Sequence, residues 1–106
     1  MIPYSYILID FSDIEQDPQA GFAFLKSCGY AGVELNLTDD VLGRLDELEA
    51  AAQANDLVVP SMLTGAAYEQ GLCLSSPDPD CRQGAVDRLK SYLPIADRFN
   101  AILVVG

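Results

Sequence analysis

The chain lacks histidine and has few basic side chains. Without histidine it contains no Ser–His or Cys–His pair for nucleophilic catalysis and no imidazole ligand for a metal. Six lysines and arginines stand against sixteen aspartates and glutamates, which gives a net charge of −10. This balance disfavours binding to nucleic acid or to an anionic membrane surface, because both depend on basic side chains that neutralise phosphates.

Cysteine is also scarce, and its three copies, Cys28, Cys73 and Cys81, form no C-x-x-C pair. An odd, scattered count is typical of free thiols in a reducing cytoplasm, where we expect the protein to reside. Cys28 follows Phe22 and Leu25 at helical spacing, which predicts a place in the core. No basic leader and no long apolar segment is present, so neither secretion nor membrane spanning is indicated.

The pattern of apolar residues predicts alternating strands and helices in one domain over residues 1–106. Half of the residues are apolar, which is enough for a sizeable core. Strands are predicted at 4–10, 33–37, 57–62 and 101–105. Three helices are predicted between them: one from Pro18 to Gly29, one from Thr38 to 55–56, and one from 76–78 to Asn100. Residues 64–75 form a long irregular connection.

Two prolines modify this prediction. Pro60 lacks an amide donor, so it favours the end of the third strand or an irregular ladder there. Pro94 lies inside the third helix and is expected to kink or shorten it. The order βαβαβαβ then favours an α/β fold in which a parallel sheet has right-handed crossovers and is covered by helices.

Several stretches resemble a known superfamily: GYAGVELNL (29–37), LVVPSMLTG (57–65), LCLSSPDPDCRQGAVDRLKSYLPIA (72–96) and NAILVVG (100–106). The more specific motifs are G-Y-x-G-V-E-L at the second strand and S-P-D-x-x-x-R at the third helix. Together they resemble the sugar phosphate isomerase/epimerase proteins of the xylose isomerase-like TIM-barrel superfamily. The resemblance implies a parallel half-barrel, that is, the first four strands and three helices of a (β/α)₈ barrel.

A complete barrel of this kind has about 250 residues. We therefore expect the chain to be the N-terminal fragment of a larger protein. Its first and last strands would be open sheet edges, so we expect self-association of half-barrels, face to face or edge to edge.

The resemblance also implies a reaction for the whole protein. The parent would isomerise or epimerise a small sugar or sugar phosphate, by metal-assisted proton transfer through an enediolate. Its divalent metal and catalytic groups would come from later strands, so we assign no catalytic residue, metal ligand or cofactor to this fragment and expect it to be inactive alone. One alternative is an apurinic endonuclease-like metal-dependent phosphodiesterase, which the acidic charge opposes. Another is a non-catalytic scaffold fragment.

Active sites of TIM barrels lie at the carboxyl ends of the strands. This rule selects the following substrate-binding candidates: Glu34, Asn36, Ser61, Met62, Thr64 and Tyr68. Glu34 lies in an apolar strand, where burying a carboxylate without a partner is costly. It would therefore orient substrate, and the alternative role is a structural acid bonded to backbone amides or to an arginine. Asn36 would bind substrate hydroxyls, or it would cap the strand end or bond locally to Thr38 or Asp39.

The remaining candidates have structural alternatives as well. Met62 would pack on a substrate carbon chain or belong to the core. Tyr68 would close over substrate as part of a lid, or lie on a packed surface loop. Asp10 is expected to begin the first loop. In the S-P-D-x-x-x-R motif, Asp78 is expected to cap the third helix and Arg82 to bond back to it or to the preceding loop.

Overall fold

The computed structural model describes residues 2–14 and 16–105, which form an α/β fold. Within these residues, four strands form one sheet in which every neighbouring pair is parallel. The strands are β1 (Ser5–Leu8), β2 (Gly32–Asn36), β3 (Ser61–Leu63) and β4 (Ile102–Val104). Five α-helices connect them, α1 (Pro18–Ser27), α2 (Asp39–Leu42), α3 (Leu45–Ala54), α4 (Gly65–Glu69) and α5 (Pro79–Phe99), with a 3₁₀ turn at Phe11–Ile14.

The sheet order β1-β2-β3-β4 follows the chain without a reversal. Crossovers between parallel strands are right-handed in nearly all proteins, so successive crossovers in one direction put their helices on the same face. The core agrees with this rule, since one cluster joins Leu8 and Leu35 of the sheet to Phe22 of α1, Leu48 of α3 and Tyr92 of α5. The predicted parallel α/β sheet is therefore confirmed, with α1, α3 and α5 on one face.

The other face of the sheet is not covered by the described residues. The Cα trace measures 19 Å along its shortest axis, which accommodates one sheet and one helical layer. On the outer strands the residues of this face are exposed, with Ile7 at 45%, Ile102 at 69% and Val104 at 40%, whereas Ser61 on the central strand β3 is buried. We call this surface the open face, and by strand alternation it comprises Ser5, Ile7, Glu34, Asn36, Ser61, Leu63, Ile102 and Val104.

Helix ends follow the predicted capping residues. The Asp17 carboxylate accepts a hydrogen bond from the Ala20 amide at 3.1 Å, and Pro18 is the first residue of α1. Thr38 Oγ1 accepts from the Val41 amide at 3.3 Å. Asn100 ends α5 in the left-handed conformation with φ of 53°.

The prediction of three helices was wrong in number, because the helix expected after Thr38 is broken into α2 and α3. The break falls at Gly43 and Arg44, and Arg44 has non-helical φ and ψ of −128° and 26°. The Arg44 guanidinium lies 4.0 Å above the Phe11 ring and donates to the Gln16 carbonyl at 2.9 Å. These contacts with a distant segment hold Arg44 out of the helical conformation.

The connection at 64–75 contains the short helix α4, and α5 has the predicted bounds but is not shortened by Pro94. Pro94 does not end α5, which has 21 residues and continues past this proline to Phe99. Pro94 is exposed, while Tyr92 and Ala96 on the opposite side are buried and anchor the helix to the sheet. No helix among the described residues is both long and apolar enough to cross a membrane.

The ladder around Pro60 is irregular, which is one of the two outcomes predicted for this proline, and β3 begins at Ser61 rather than at 57. Val58 makes an isolated bridge with Gly32, and Met62 pairs with Leu35. Four residue steps on one strand therefore match three on the other, so the segment before β3 contains a bulge. The prediction that Cys28 lies in the core was wrong, because α1 ends at Ser27 and Cys28 is exposed at its C-cap.

Candidate functional site

A carboxylate at the centre of the open face is held by two serines from neighbouring strands. Ser5 donates to Glu34 Oε2 at 3.0 Å, and Ser61 donates to Glu34 Oε1 at 2.5 Å. Ser61 is 4% exposed, whereas Glu34 is half-buried and still reaches solvent. The three side chains thus connect β1, β2 and β3 through one polar group, which we call the Glu34 network.

The partners of Glu34 differ from those expected for a structural acid. Neither an arginine nor a backbone amide bonds it; the hydrogen bonds found among the described residues come from hydroxyls. Hydrogen bonds to an ionised carboxylate are shorter and stronger than neutral ones, so the two serines fix its orientation. Each carboxylate oxygen keeps a free lone pair, and the half-buried position allows it to accept from a ligand hydroxyl.

Two further polar candidates, Asn36 and Thr64, form hydrogen bonds between neighbouring strands at their carboxyl ends. Asn36 Nδ2 donates to the Ile9 carbonyl at 3.4 Å, across β1 and β2. Thr64 Oγ1 donates to the Val104 carbonyl at 2.9 Å, across β3 and β4, and Thr64 is 3% exposed. Asn36 therefore lies at the edge of the open face beside the Glu34 network, while Thr64 is buried between the end of β3 and the start of α4.

Met62 and Tyr68 do not join the Glu34 network. Met62 is fully buried in the helix-facing core, so the sheet separates its side chain from the open face. Tyr68 lies on α4 and is 66% exposed. Together with Thr64 it lines a cavity of about 270 Å³ between α4, the following loop and α5.

The cavity contains a thiol that the sequence did not identify as a site residue. Cys73 Sγ lies 3.3 Å from Ser75 Oγ, and this hydrogen bond holds the pKa of the Cys73 thiol below its ordinary value of 9.0. The other walls are mainly apolar: Ala67, Leu72, Leu74, Ala85, Leu89 and Val105. A small polar group at one end of an apolar cavity is typical of ligand pockets.

Ser5 is the member of the Glu34 network that sequence reasoning missed. The sequence alone does not identify it, because its place depends on the register in which Ile7, two residues after Ser5, pairs with Glu34. Residues two apart on a strand share a face, so a serine at this position can reach a carboxylate on the next strand.

Asp10 lies in the loop after β1, as predicted. Its carboxylate accepts from the Ser12 amide at 2.7 Å and from the Ser12 hydroxyl. These bonds hold the pKa of Asp10 below its ordinary value of 3.8. Asp10 therefore organises its own loop and takes no part in the Glu34 network.

Three residues of the motif G-Y-x-G-V-E-L are explained by their conformation or their contacts. Gly29 has φ of +94°, a left-handed conformation that lets the chain turn sharply after α1. A Cβ on Gly32 would lie 2.8 Å from the Val58 carbonyl oxygen, so only glycine lets these backbones approach. The motif then places Glu34 in the open face two residues later.

The motif S-P-D-x-x-x-R builds the start of α5. Ser76 Oγ accepts from the Asp78 amide at 3.1 Å, and Asp78 accepts from the Asp80 amide at 3.0 Å. Arg82 Nη1 donates to the Ser76 carbonyl at 2.7 Å. The predicted structural role of this motif is confirmed, because each bond closes the loop onto the helix.

No group of three or more histidine, cysteine, aspartate or glutamate side chains within 2–14 and 16–105 could hold a metal ion. No model of a protein family matches the chain. Curated proteins give no significant match either.

Proposed function

We propose that this chain supplies four of the eight strands of a (β/α)₈ barrel of the sugar isomerase/epimerase type. The sheet order supports the proposal, since an unreversed parallel order with helices on one face is how such a barrel is wound. Doubly wound sheets reverse their order at a switch point and carry helices on both faces. In a closed barrel the open face becomes the interior wall.

The Glu34 network carries the functional part of the proposal. A carboxylate oriented by Ser5 and Ser61 is a fixed acceptor for sugar hydroxyls, and Asn36 adds an amide at the carboxyl end of the same face. Polyhydroxylated ligands are recognised by such preorganised donors and acceptors. We therefore assign a small sugar or sugar phosphate as the substrate class, and binding rather than proton transfer as the role of these residues.

The metal implied by the resemblance does not fit the residues described. Among the residues that the structure describes, Glu34 is the one carboxylate on the open face, and both of its oxygens accept from serines. A divalent cation needs several oxygen or nitrogen ligands around one point, and no such group exists within the described residues. We derive no step through a metal, and we propose that this chain alone binds sugar without turning it over in the cytoplasm.

The proposal is tested by titrating the ¹⁵N-labelled protein with a ketose phosphate and following amide chemical shifts. We expect the shifts to concentrate on Glu34, Ser5, Ser61 and Asn36. Glu34→Gln should weaken binding by at least about tenfold, since a hydrogen bond to a charged group contributes about 1.5–3 kcal/mol.

Asp97→Asn is the matched control, because it makes the same carboxylate-to-amide change at an exposed position on α5. It should bind sugar as the unsubstituted protein does. Equal binding by Glu34→Gln, or shifts confined to the helical layer, would refute the assignment of the sugar to the open face.

A further inference from the structure

Two of the three cysteines lie where the loop before α5 joins that helix. Cys73 lies in the loop and Cys81 is the third residue of α5, and both are half-buried free thiols. Cys81 Sγ donates to the Gly71 carbonyl at 3.2 Å and lies 4.0 Å from the carbonyl oxygen of Cys73. The first turn of α5 is therefore held against the segment that carries the second thiol. We call Cys73 and Cys81 the loop dithiol.

The two cysteines of the loop dithiol are almost close enough to form a disulfide. The Cys73 carbonyl oxygen is two bonds from its Cα and Cys81 Sγ is two bonds from its own, so the Cα atoms lie within about 9 Å of each other. Disulfides join Cα atoms that are about 4.4–6.8 Å apart. Residues 72–78 form neither helix nor strand, so a shift of about 2–3 Å in this loop closes the gap even at the upper limit.

Cys73 has the surroundings of a reactive thiol. Its sulfur lies 3.3 Å from Ser75 Oγ, and this hydrogen bond lowers the pKa of the thiol from 9.0, so more of it is thiolate at neutral pH. The thiolate is the form that reacts with oxidants. Cys73 also lines the cavity between α4 and α5, where a small molecule can approach it. Cys28 is more exposed than either thiol of the loop dithiol, so exposure alone would make Cys28 react first.

We propose that the loop dithiol is a peroxide-reactive site, in which hydrogen peroxide oxidises Cys73 and Cys81 then closes a disulfide with it. In the first step the Cys73 sulfur attacks one peroxide oxygen and the O–O bond breaks. The hydroxide that leaves takes up the thiol proton, so one water is released and Cys73 becomes a sulfenic acid. In the second step the Cys81 sulfur attacks the Cys73 sulfur, the S–O bond breaks, and the hydroxide leaves with the Cys81 proton as a second water. The two thiols have then lost two electrons, which the peroxide has gained.

The disulfide would fasten the loop to α5 and change the cavity. Its formation takes the Cys73 sulfur from Ser75 to the first turn of α5, and Cys73 shares the cavity wall with Thr64 and Tyr68. A dithiol reductant restores the two thiols by exchange. The inference goes beyond the proposed function and does not depend on it, because the loop dithiol lies outside the Glu34 network.

Peptide mapping of the unsubstituted protein tests the proposal. The protein is treated with hydrogen peroxide at neutral pH, its remaining thiols are alkylated with iodoacetamide, and it is cleaved before aspartate, since Asp78 and Asp80 separate the two cysteines. We expect a linked pair of peptides whose mass is about 2 Da below their sum, because two hydrogens are lost. Cys28 should be recovered alkylated, and dithiothreitol should separate the pair.

Three serine variants assign the roles. Cys81→Ser should stop the reaction at the Cys73 sulfenic acid, which dimedone traps, and Cys73→Ser should slow the total loss of thiol at least about fivefold. Cys28→Ser is the matched control and should form the disulfide at the unsubstituted rate. Disulfides that join two chains, oxidation of Cys28 as fast as that of Cys73, or recovery of Cys73 and Cys81 without a bond between them would overturn the proposal. Since peptide mapping uses the unsubstituted protein, these outcomes are decisive even if a variant fails to fold.

Discussion

Removing the Ser61 hydroxyl is expected to destabilise the sheet measurably. Ser61→Ala deletes the 2.5 Å hydrogen bond to Glu34 Oε1 and leaves one oxygen of the carboxylate without its donor. Hydrogen bonds to charged groups contribute about 1.5–3 kcal/mol to stability. Because Glu34 is half-buried, water replaces part of this bond, so we expect a loss near the lower limit, about 1.5 kcal/mol.

Urea unfolding followed by circular dichroism measures this loss. For a chain of about 100 residues, 1 kcal/mol corresponds to about 4 °C in Tm, so Ser61→Ala should melt about 6 °C lower. All variants should be compared at one protein concentration, because association would couple stability to concentration.

Ser91→Ala is the matched control. Ser91 is exposed on α5 and donates only to the Arg88 carbonyl of its own helix, so its removal should change stability by less than about 0.5 kcal/mol. A double-mutant cycle with Glu34→Gln should give a coupling energy of about 1 kcal/mol with Ser61→Ala and none with Ser91→Ala. Equal effects of the two serine substitutions, or zero coupling, would refute the Glu34 network as a unit.

Two further predictions concern the helical layer. Gly21→Ala should lower the free energy of unfolding by about 1–3 kcal/mol, because the new Cβ would lie 2.4 Å from Ile14 Cβ. Gly65→Ala is the control, since a Cβ there has no atom within 4 Å, and it should leave stability unchanged or raise it. Urea unfolding measures both changes. Arg98 donates to Glu49 at 3.0 Å and lowers the pKa of that carboxyl from 4.5, so the stability from this pair is present above that value and is lost as pH falls through the lowered pKa. The stability difference between the unsubstituted protein and Arg98→Ala should therefore shrink in acid, and a difference independent of pH would contradict the ion pair.

Local signals in the sequence predicted those parts of the fold that depend on neighbouring residues. Asp17 and Pro18 start α1, and Asn100 ends α5, because capping requires a side chain and a backbone conformation at one position. The alternation in residues 33–37 likewise predicted a strand, and β2 is found at Gly32–Asn36.

The errors arose where a distant contact decides the local conformation. Arg44 was predicted to be helical, but it contacts Phe11 and the Gln16 carbonyl, which are distant in sequence, and its backbone is not helical. Cys28 fits an apolar stripe, but its helix stops one residue earlier. Helical spacing carries no information about where the tertiary structure ends a helix.

For the candidate site, sequence reasoning selected Glu34 and Ser61 but did not predict the hydrogen bond between them. The bond depends on register, because the bulge before β3 shifts Ser61 into line with Glu34. A one-residue slip would send the serine to the opposite face. Register of this kind is set by the packing of Gly32 against Val58, which the sequence alone does not specify.

The most direct test is a nuclear Overhauser experiment on the ¹³C,¹⁵N-labelled protein. It reports which strands lie side by side, and the central claim is an unreversed parallel sheet whose open face carries the Glu34 network. We predict the NOE pattern of parallel pairing for β1–β2, β2–β3 and β3–β4, together with NOEs from the Ser5 and Ser61 side chains to Glu34. Strong Hα–Hα NOEs between neighbouring strands, which antiparallel pairing gives, or Ser61 side-chain NOEs to the helical layer instead of to Glu34, would contradict the account.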